Sequence, residues 1–342
     1  MQNKIPKRLL FITLTIFCIL TLCGIVSAAS TVYVNETGSD ISGNGSADNP
    51  YQTVNYGISK VDSAGTVNIG SGTFDTYINN TSKNYNITIS KNVNIKGAGQ
   101  NLTFINATGL GRIFTINSGY TVTISDLTIT DGKAPDGTTG NPGTDGGNGG
   151  AIINSGTLTL NNVTISNSRA GNGGNGANGV NSFGNRAGKN AGNGGNGGAI
   201  YNTGTITIND SILSNNTAGN GGNGGNPYSY NISQLSGNGG NGGNGGAIYS
   251  DTTKNVNINR SILINNTAGN GGNGGNGYWR GNGGNGGEGG AIYITGSLLD
   301  WADLNVFRSS IINNTAGNGG LRGSSGNGGS NGNNGEVGGI FV

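Results

Sequence analysis

Between Thr31 and Thr130 apolar and polar residues alternate in short runs: "TVNIGSG", "NITIS", "NVNIKGAG", "LTFINATG", "RIFTINSG" and "TVTISDLTIT". A two-residue period is that of a half-buried strand, whose successive side chains point to opposite faces. Gly or Asn separates one run from the next, as turns require. One stretch breaks the pattern. In "NPYQTVNYGISKVDSAG", Val54, Ile58 and Val61 have helical spacing after a start at Asn49-Pro50. A short helix is expected there, placed to cap a sheet edge that would otherwise stay open.

From about Gly146 the strand text recurs at long period. "GGAI" begins at Gly149, Gly197, Gly245 and Gly289, and a worn copy, "GGIF", at Gly338, in steps of 48, 48, 44 and 49 residues. "SNSRAG" at Ser166 is followed in step by "NNTAG" at Asn215, Asn265 and Asn313. Each repeat opens with about two dozen residues that split into three short strands. Asn161, Asn209 and Asn259 share one turn position, and asparagine tolerates the left-handed backbone of a tight corner. Such a unit is one coil of a parallel β-helix. It cannot fold alone: about five aliphatic side chains return about 1.5–3 kcal/mol each, against roughly 1–2 kcal/mol per ordered residue. Stacking closes the gap by sharing one core along the axis. The pattern predicts that Ile152, Ile200, Ile248 and Ile292 form one internal ladder, and Leu158, Ile206 and Val256 another. Phe307 interrupts the Asn ladder in the last full repeat.

The second half of each repeat is a Gly/Asn insertion of similar length that leaves the coil and returns. Two states are open to it: "NGG" triplet helices lying side by side, or floppy loops, since Gly has most entropy to lose on ordering. The insertion tips gather the rare residues: Phe183, Tyr228, Tyr230, Tyr278, Trp279 and Arg280, with Arg186 beside them.

Composition narrows the function classes. Glycine supplies 72 of 342 residues, charged residues only 9%, and histidine none, unlike an ordinary globular enzyme. Lys4, Lys7 and Arg8 precede an apolar run, "LLFITLTIFCILTLCGIV", and the small residues "SAAS". This is the layout of a signal peptide over 1–29, long enough to serve as an uncleaved anchor. Removing it leaves 14 of the 17 basic residues against 15 acidic ones. A near-neutral chain with no basic run lacks the footprint for nucleic acid. Cys18 and Cys23, the only cysteines, lie in the same segment, so no disulfide is expected in the mature chain.

The stretch Thr31–Gly99, with "VYVNETGSDISGNGSADNPYQTVNYGISKV", "GTVNIGSGTF" and "ITISKNVNIKGAG", resembles the opening of pectin-lyase-like right-handed β-helix proteins. It is especially similar to the adhesin-like surface proteins of methanogenic archaea. The GGAI copies resemble the polymorphic outer-membrane protein repeats of bacterial surface adhesins, which pair GGAI with "FxxN". Here "ILSNN" and "ILINN" stand where the Phe would be. The resemblance covers nearly all the mature chain. It implies an all-β, right-handed parallel β-helix solenoid with long Gly/Asn-rich loop insertions, and it says little of activity, because the fold hosts many functions.

Four motif readings dissolve on inspection. "GNGGNG" meets G-x-G-x-x-G repeatedly between Gly171 and Gly286, with no helix or βαβ unit following. The tracts lack the regular Asp of calcium-binding glycine repeats and the Pro of collagen. Thr157/Thr159 and Thr205/Thr207 suggest an ice-binding array, but the next coil has Asn255 and Asn257. No catalytic, cofactor-binding or metal-binding residue is assigned, and no cofactor is expected. Sequons abound, and Asn215, Asn265 and Asn313 are the candidate glycosylation sites because the repeat reuses them.

The expected organisation is a signal segment (1–29), a capping segment with the first coils (30–145), and insertion-bearing repeats (146–342). The expected role is a secreted or cell-surface structural and adhesive protein whose tips contact glycans or other cell-surface components. Nucleic acid is not an expected partner, and a membrane is one only through an uncleaved N-terminus. The alternative is a polysaccharide lyase or glycoside hydrolase, which acids converging in a groove on one strand face would favour. Of the coil acids Asp126, Asp131, Asp210, Asp251, Asp300 and Asp303, only Asp210, beside Arg260, meets an opposite charge on a neighbouring coil. The final strand opens a further copy, as expected of a fragment or of an end that associates end to end.

Overall fold

A computed structural model describes residues 30–75, 84–182, 186–230, 232–251, 255–295, 304–324 and 326–342; the signal segment lies outside them. The chain is a right-handed parallel β-helix with three strand faces. The first face stacks β1 (Thr31–Val34), β2 (Gly65–Ile69), β5 (Val93–Lys96), the first halves of β8 (Thr121–Thr130) and β10 (Thr157–Ser166), then β12 (Thr205–Asn209), β15 (Val256–Asn259) and β18 (Leu304–Phe307). The second holds β3 (Gly72–Phe74), β6 (Thr103–Asn106), the second halves of β8 and β10, β13 (Ile212–Ser214), β16 (Ile262–Ile264) and β19 (Ser310–Ile312). The third holds β4 (Ile87–Ile89), β7 (Phe114–Ile116), β9 (Ile152–Asn154), β11 (Ile200–Asn202), β14 (Ile248–Asp251), β17 (Ile292–Thr295) and β20 (Ile340–Phe341). Neighbouring strands pair in parallel and one coil apart.

The expected ladders are present. Ile152, Ile200, Ile248 and Ile292 pair in register, as do Leu158, Ile206 and Val256, and all are fully buried. Helix α1 (Val54–Lys60) packs on β1 and β2 through Val54, Gly57 and Ile58, where the cap was expected. Thr53 is its N-cap, accepting from the Tyr56 N–H.

The corner differs from its expected residue by one. Asn161, Asn209 and Asn259 are strand residues. They form a side-chain ladder, Asn209 donating to Asn161 over 2.8 Å and Asn259 to Asn209 over 2.9 Å. The left-handed residue is the next one: Asp126, Asn162, Asp210, Arg260 and Arg308, with φ between 47° and 56°. The ladder amides meet because they occupy in-register strand positions, so the chain turns at the residue after them.

A second left-handed column ends the second face at Asp131, Asn167, Asn215, Asn265 and Asn313, with φ of 52–56°. It explains the "NNTAG" landmark. The first Asn makes the corner. The second (Asn216, Asn266) is fully buried, and its side chain accepts the backbone N–H of the preceding coil. The Thr bridges coils, and the Ala is buried. "GGAI" resolves likewise. Its first Gly is left-handed in every copy from Gly149 to Gly289, with φ of 63–69°. Its Ala and Ile fill the core.

Between these two landmarks the chain leaves the coil. The insertions, near residues 132–148, 170–196, 218–244, 268–288 and 316–336, stack as layers beside the helix.

Candidate functional site

The insertions are ordered, in the side-by-side arrangement of triplets. Each layer has an outgoing and a returning leg, and the layers pile into two columns of legs packed face to face. The triplet Asn220–Gly221–Gly222 shows how it holds. The Asn220 N–H donates to the Asn172 side-chain oxygen one layer back, over 3.0 Å. The Gly221 N–H donates to the Asn270 carbonyl one layer on, over 2.8 Å. The Gly222 N–H donates across the columns to the Gly192 carbonyl, over 3.0 Å. All three donors are satisfied, so a segment with almost no apolar side chains orders through backbone bonding. Exposure follows the same period: Asn220 exposed, Gly221 intermediate, Gly222 buried. Three residues per turn is the period of a polyproline II-type helix. A Cβ on Gly222 would overlap the Gly174 carbonyl, so the column contact excludes any side chain there.

The outer faces are columns of asparagine, such as Asn172–Asn220–Asn270–Asn318 and Asn175–Asn223–Asn273. Each oxygen accepts an N–H from the adjoining layer, and the amide NH2 is left toward solvent. Among the inner coils Arg112 ties the coil to the first layer's return, donating to the carbonyls of Gly149 (2.8 Å) and Asn148 (2.5 Å). Burial pushes its pKa down.

The tips sit where the legs reverse, and their partners are other tips. The Tyr228 N–H donates to the Arg186 carbonyl, and Trp279 bridges to Leu235 in one direction and to Asn327 in the other. The Trp279 indole N–H donates to the Ile232 carbonyl over 2.6 Å, and Tyr278 packs edge-on to it. Arg280 donates to the Gly326 carbonyl. Tyr228 is 51% exposed, Tyr230 65% and Trp279 41%. Tyr278 and Arg280 are half-buried. Phe183 lies outside the described residues. Ile232 and Leu235 are exposed beside these aromatics, so the tips form a ridge running across layers. Sequence reasoning passed over these two aliphatics because neither is a rare residue type.

The same reasoning missed an aromatic ladder. The residue after GGAI is Tyr in three copies, and Tyr201, Tyr249, Tyr293 and Phe341 stack along the outside of the third face. Ring centroids are 5.0, 5.5 and 5.0 Å apart, with interplanar angles of 8°, 14° and 8°. The rings spend their faces on one another and leave edges outward, a structural column.

The sequon asparagines Asn215, Asn265 and Asn313 are exposed at the second left-handed corner. Asn209 and Asn259, also in sequons, have their amide nitrogens engaged in the strand ladder.

Charges are few, and two ion pairs form among the described residues. Arg260 grips Asp210 through two bonds of 2.7 and 2.6 Å, both side chains half exposed. The hydrogen bond from Arg260 holds Asp210 below the usual carboxylate range, and Asp210 raises Arg260 in return. A groove of about 600 Å³ runs along the second corner, between the coil and the first layers. Asn106, Asp131, Lys133, Arg169, Asn215 and Thr217 are among its walls. Asp131 is the carboxylate of this lining, and Lys133 and Arg169 are its two cations. Lys133 also pairs with Asp136 at 2.7 Å. Burial pushes Asp136 up, but this bond and the Asn172 N–H outweigh it and leave its pKa low. Among the described residues no three His, Cys, Asp or Glu converge as metal ligands, and no helix is long and apolar enough to cross a membrane.

No family model matches the chain, and no curated protein matches it by sequence. Among solved structures it is similar to a rhamnogalacturonan lyase (13% identity, TM-score 0.26, covering 82% of this chain and 86% of that one). It is also similar to rice weevil pectin methyl esterase (11%, TM-score 0.28, 82% and 90%) and to pectate lyase Pel9A (13%, TM-score 0.24, 82% and 78%). At these values the likeness carries no argument, and the fold rests on the strand pairing described above.

Proposed function

We propose that this chain is a secreted or cell-surface adhesive scaffold, of the adhesin-like kind its repeats resemble. The coil is a rigid spacer. The glycine sandwich is a rigid bracket that holds an aromatic ridge away from it, against glycans or other cell-surface components. The observation that carries this reading is the exposure of Tyr228, Tyr230 and Trp279 on tips bonded to one another. Aromatic rings fixed in place supply contact area at low entropic cost, stack on sugar rings and dominate interface energetics. The outer Asn columns offer only neutral amides. Glycans at Asn215, Asn265 or Asn313 would project from the corner beside the sandwich. The test is a glycan array and a cell-attachment assay with the mature protein, beside the triple variant Tyr228→Ala, Tyr230→Ala, Trp279→Ala. Attachment is expected to fall at least about tenfold in the variant. Unchanged attachment by a folded variant overturns the reading.

The groove favours a second reading, a polysaccharide lyase. One base and two cations suit proton abstraction beside a stabilised anion better than they suit glycoside hydrolysis, which takes paired carboxylates. Asp131 would be the base, with Lys133 and Arg169 against the acid sugar. Release of unsaturated ends from uronate polymers, lost in Asp131→Asn, would establish it. No such release from any uronate polymer would remove it.

A further inference from the structure

The tracts are built of Asn-Gly, the dipeptide in which the glycine nitrogen most readily attacks the preceding side chain. The attack forms a bond from the Gly backbone nitrogen to the Asn Cγ. The nitrogen's proton goes to solvent base, and the side-chain amide leaves as ammonia. Water then opens the five-membered imide at either carbonyl, giving an aspartyl or an isoaspartyl residue. Two things must be free for this: the Gly N–H and the Asn amide.

The sandwich ties up both. In Asn172–Gly173, Asn220–Gly221 and Asn241–Gly242 the Gly N–H donates to an Asn carbonyl of the next layer over 2.8 Å. In each, the Asn oxygen accepts a backbone N–H from that layer, at 3.0, 2.8 and 2.8 Å. The pairs nearer the tips differ from these by degree. Gly277 is buried, and the Asn276 oxygen accepts from Ser324 over 2.7 Å. Asn44 accepts from the Ser46 N–H over 3.0 Å, and the Gly45 N–H donates to the Asn49 carbonyl.

Asn327–Gly328 stands apart. Both residues are exposed, and Gly328 and Gly329 turn left-handed with φ of 68° and 69°. Asn327 bonds through its backbone only, its N–H to the Tyr278 carbonyl and its carbonyl to the Arg280 N–H. Among the described residues it is the Asn-Gly pair whose side-chain amide and glycine N–H are both without a partner.

We propose that the glycine sandwich shelters its Asn-Gly bonds from imide formation, and that Asn327 is the site of spontaneous deamidation in this protein. The product places a new carboxylate on the ridge, next to Arg280 and Trp279, so the age of the molecule is written into the charge of its tip.

The test is peptide mapping by mass spectrometry with isoaspartate detection. The intact folded protein is held at mildly alkaline pH, with a parallel sample unfolded in urea. Two hydrogen bonds must open before a sheltered pair reacts, so Asn327 is expected to convert at least roughly tenfold faster than Asn172, Asn220 or Asn241 in the folded protein. In urea the four rates should converge. Asn327→Ser, an exposed change, should remove the fast phase and leave the slow sites as they were. Equal rates at Asn327 and Asn220 in the folded protein overturn the proposal. So does a fast phase that persists in Asn327→Ser, or a rate spread that survives urea. None of these readouts depends on adhesion.

Discussion

Each of the two repeating texts is governed by a contact that admits one kind of residue. In the sandwich that contact is backbone against backbone. Gly222→Ala forces a methyl onto the Gly174 carbonyl and is expected to destabilise by about 1–3 kcal/mol, as overpacking does. Asn220→Ala removes one accepted hydrogen bond on an exposed face and should cost about 1 kcal/mol. Urea denaturation of the two variants gives the order, and an Asn220→Ala loss larger than that of Gly222→Ala would contradict the close-approach account. In the coil the contact is aliphatic. Ile206→Asp puts an unpaired charge into a fully buried ladder and should cost at least about 3 kcal/mol. Ile206→Val should cost about 0.5–1.5 kcal/mol in the same assay. A tolerated Ile206→Asp would place that side chain outside.

The insertion legs are elements with a three-residue period, as the strands have a two-residue one. Adding one Asn-Gly-Gly triplet to each leg of a single layer should therefore move its tip outward and keep both columns in register. Adding one glycine after Asn223 should turn the wrong residues toward the facing column and lower the denaturation midpoint. Equal midpoints for the two insertions would mean that the legs are not in register at all. The strands were legible in the sequence, because Ile152, Ile200, Ile248 and Ile292 recur at the coil length and alternate with polar neighbours. The helix was legible from its spacing. The Asn corner was read one residue early: Asn161 and Asn209 look like turn residues, and nothing local tells a ladder amide from a corner. That decision rests with the coil above. The sequence leaves the order of the tracts open for the same reason. Local propensity opposes an ordered Gly leg, and only the neighbouring legs supply its hydrogen bonds. The layer at 132–148 was hidden because it carries Thr, Pro and Asp among its glycines.

As a whole the molecule is a sparsely charged solenoid of near-zero net charge, joined along one corner to the glycine sandwich. With no histidine, and no cysteine beyond residue 29, no side chain of ordinary pKa titrates between about pH 5 and pH 8. Asp136 and Asp210 are held low by Lys133 and Arg260. A depressed carboxylate contributes stability above its unfolded pKa, and that contribution is lost as pH falls through the folded value. Both pairs are substantially exposed, so the contribution is small. Stability is thus expected to be flat from pH 8 to 5 and to decline only below about 4. A steep loss between pH 7 and 5 would point to a coupled group that this account lacks.

The proposed adhesive role depends on the glycine tracts being a rigid bracket. Hydrogen exchange followed by mass spectrometry reads that directly, by comparing peptides covering 218–226 and 237–244 with those covering β12 and β15. The amides of Gly221, Gly222 and Gly240 are expected to exchange as slowly as those of Ile206 and Ile258, since the glycines donate between layers or between the two legs of a layer and the isoleucines lie in strands paired between coils. Exchange of the tract amides at the rate of an unfolded chain, beside protected strands, would contradict it.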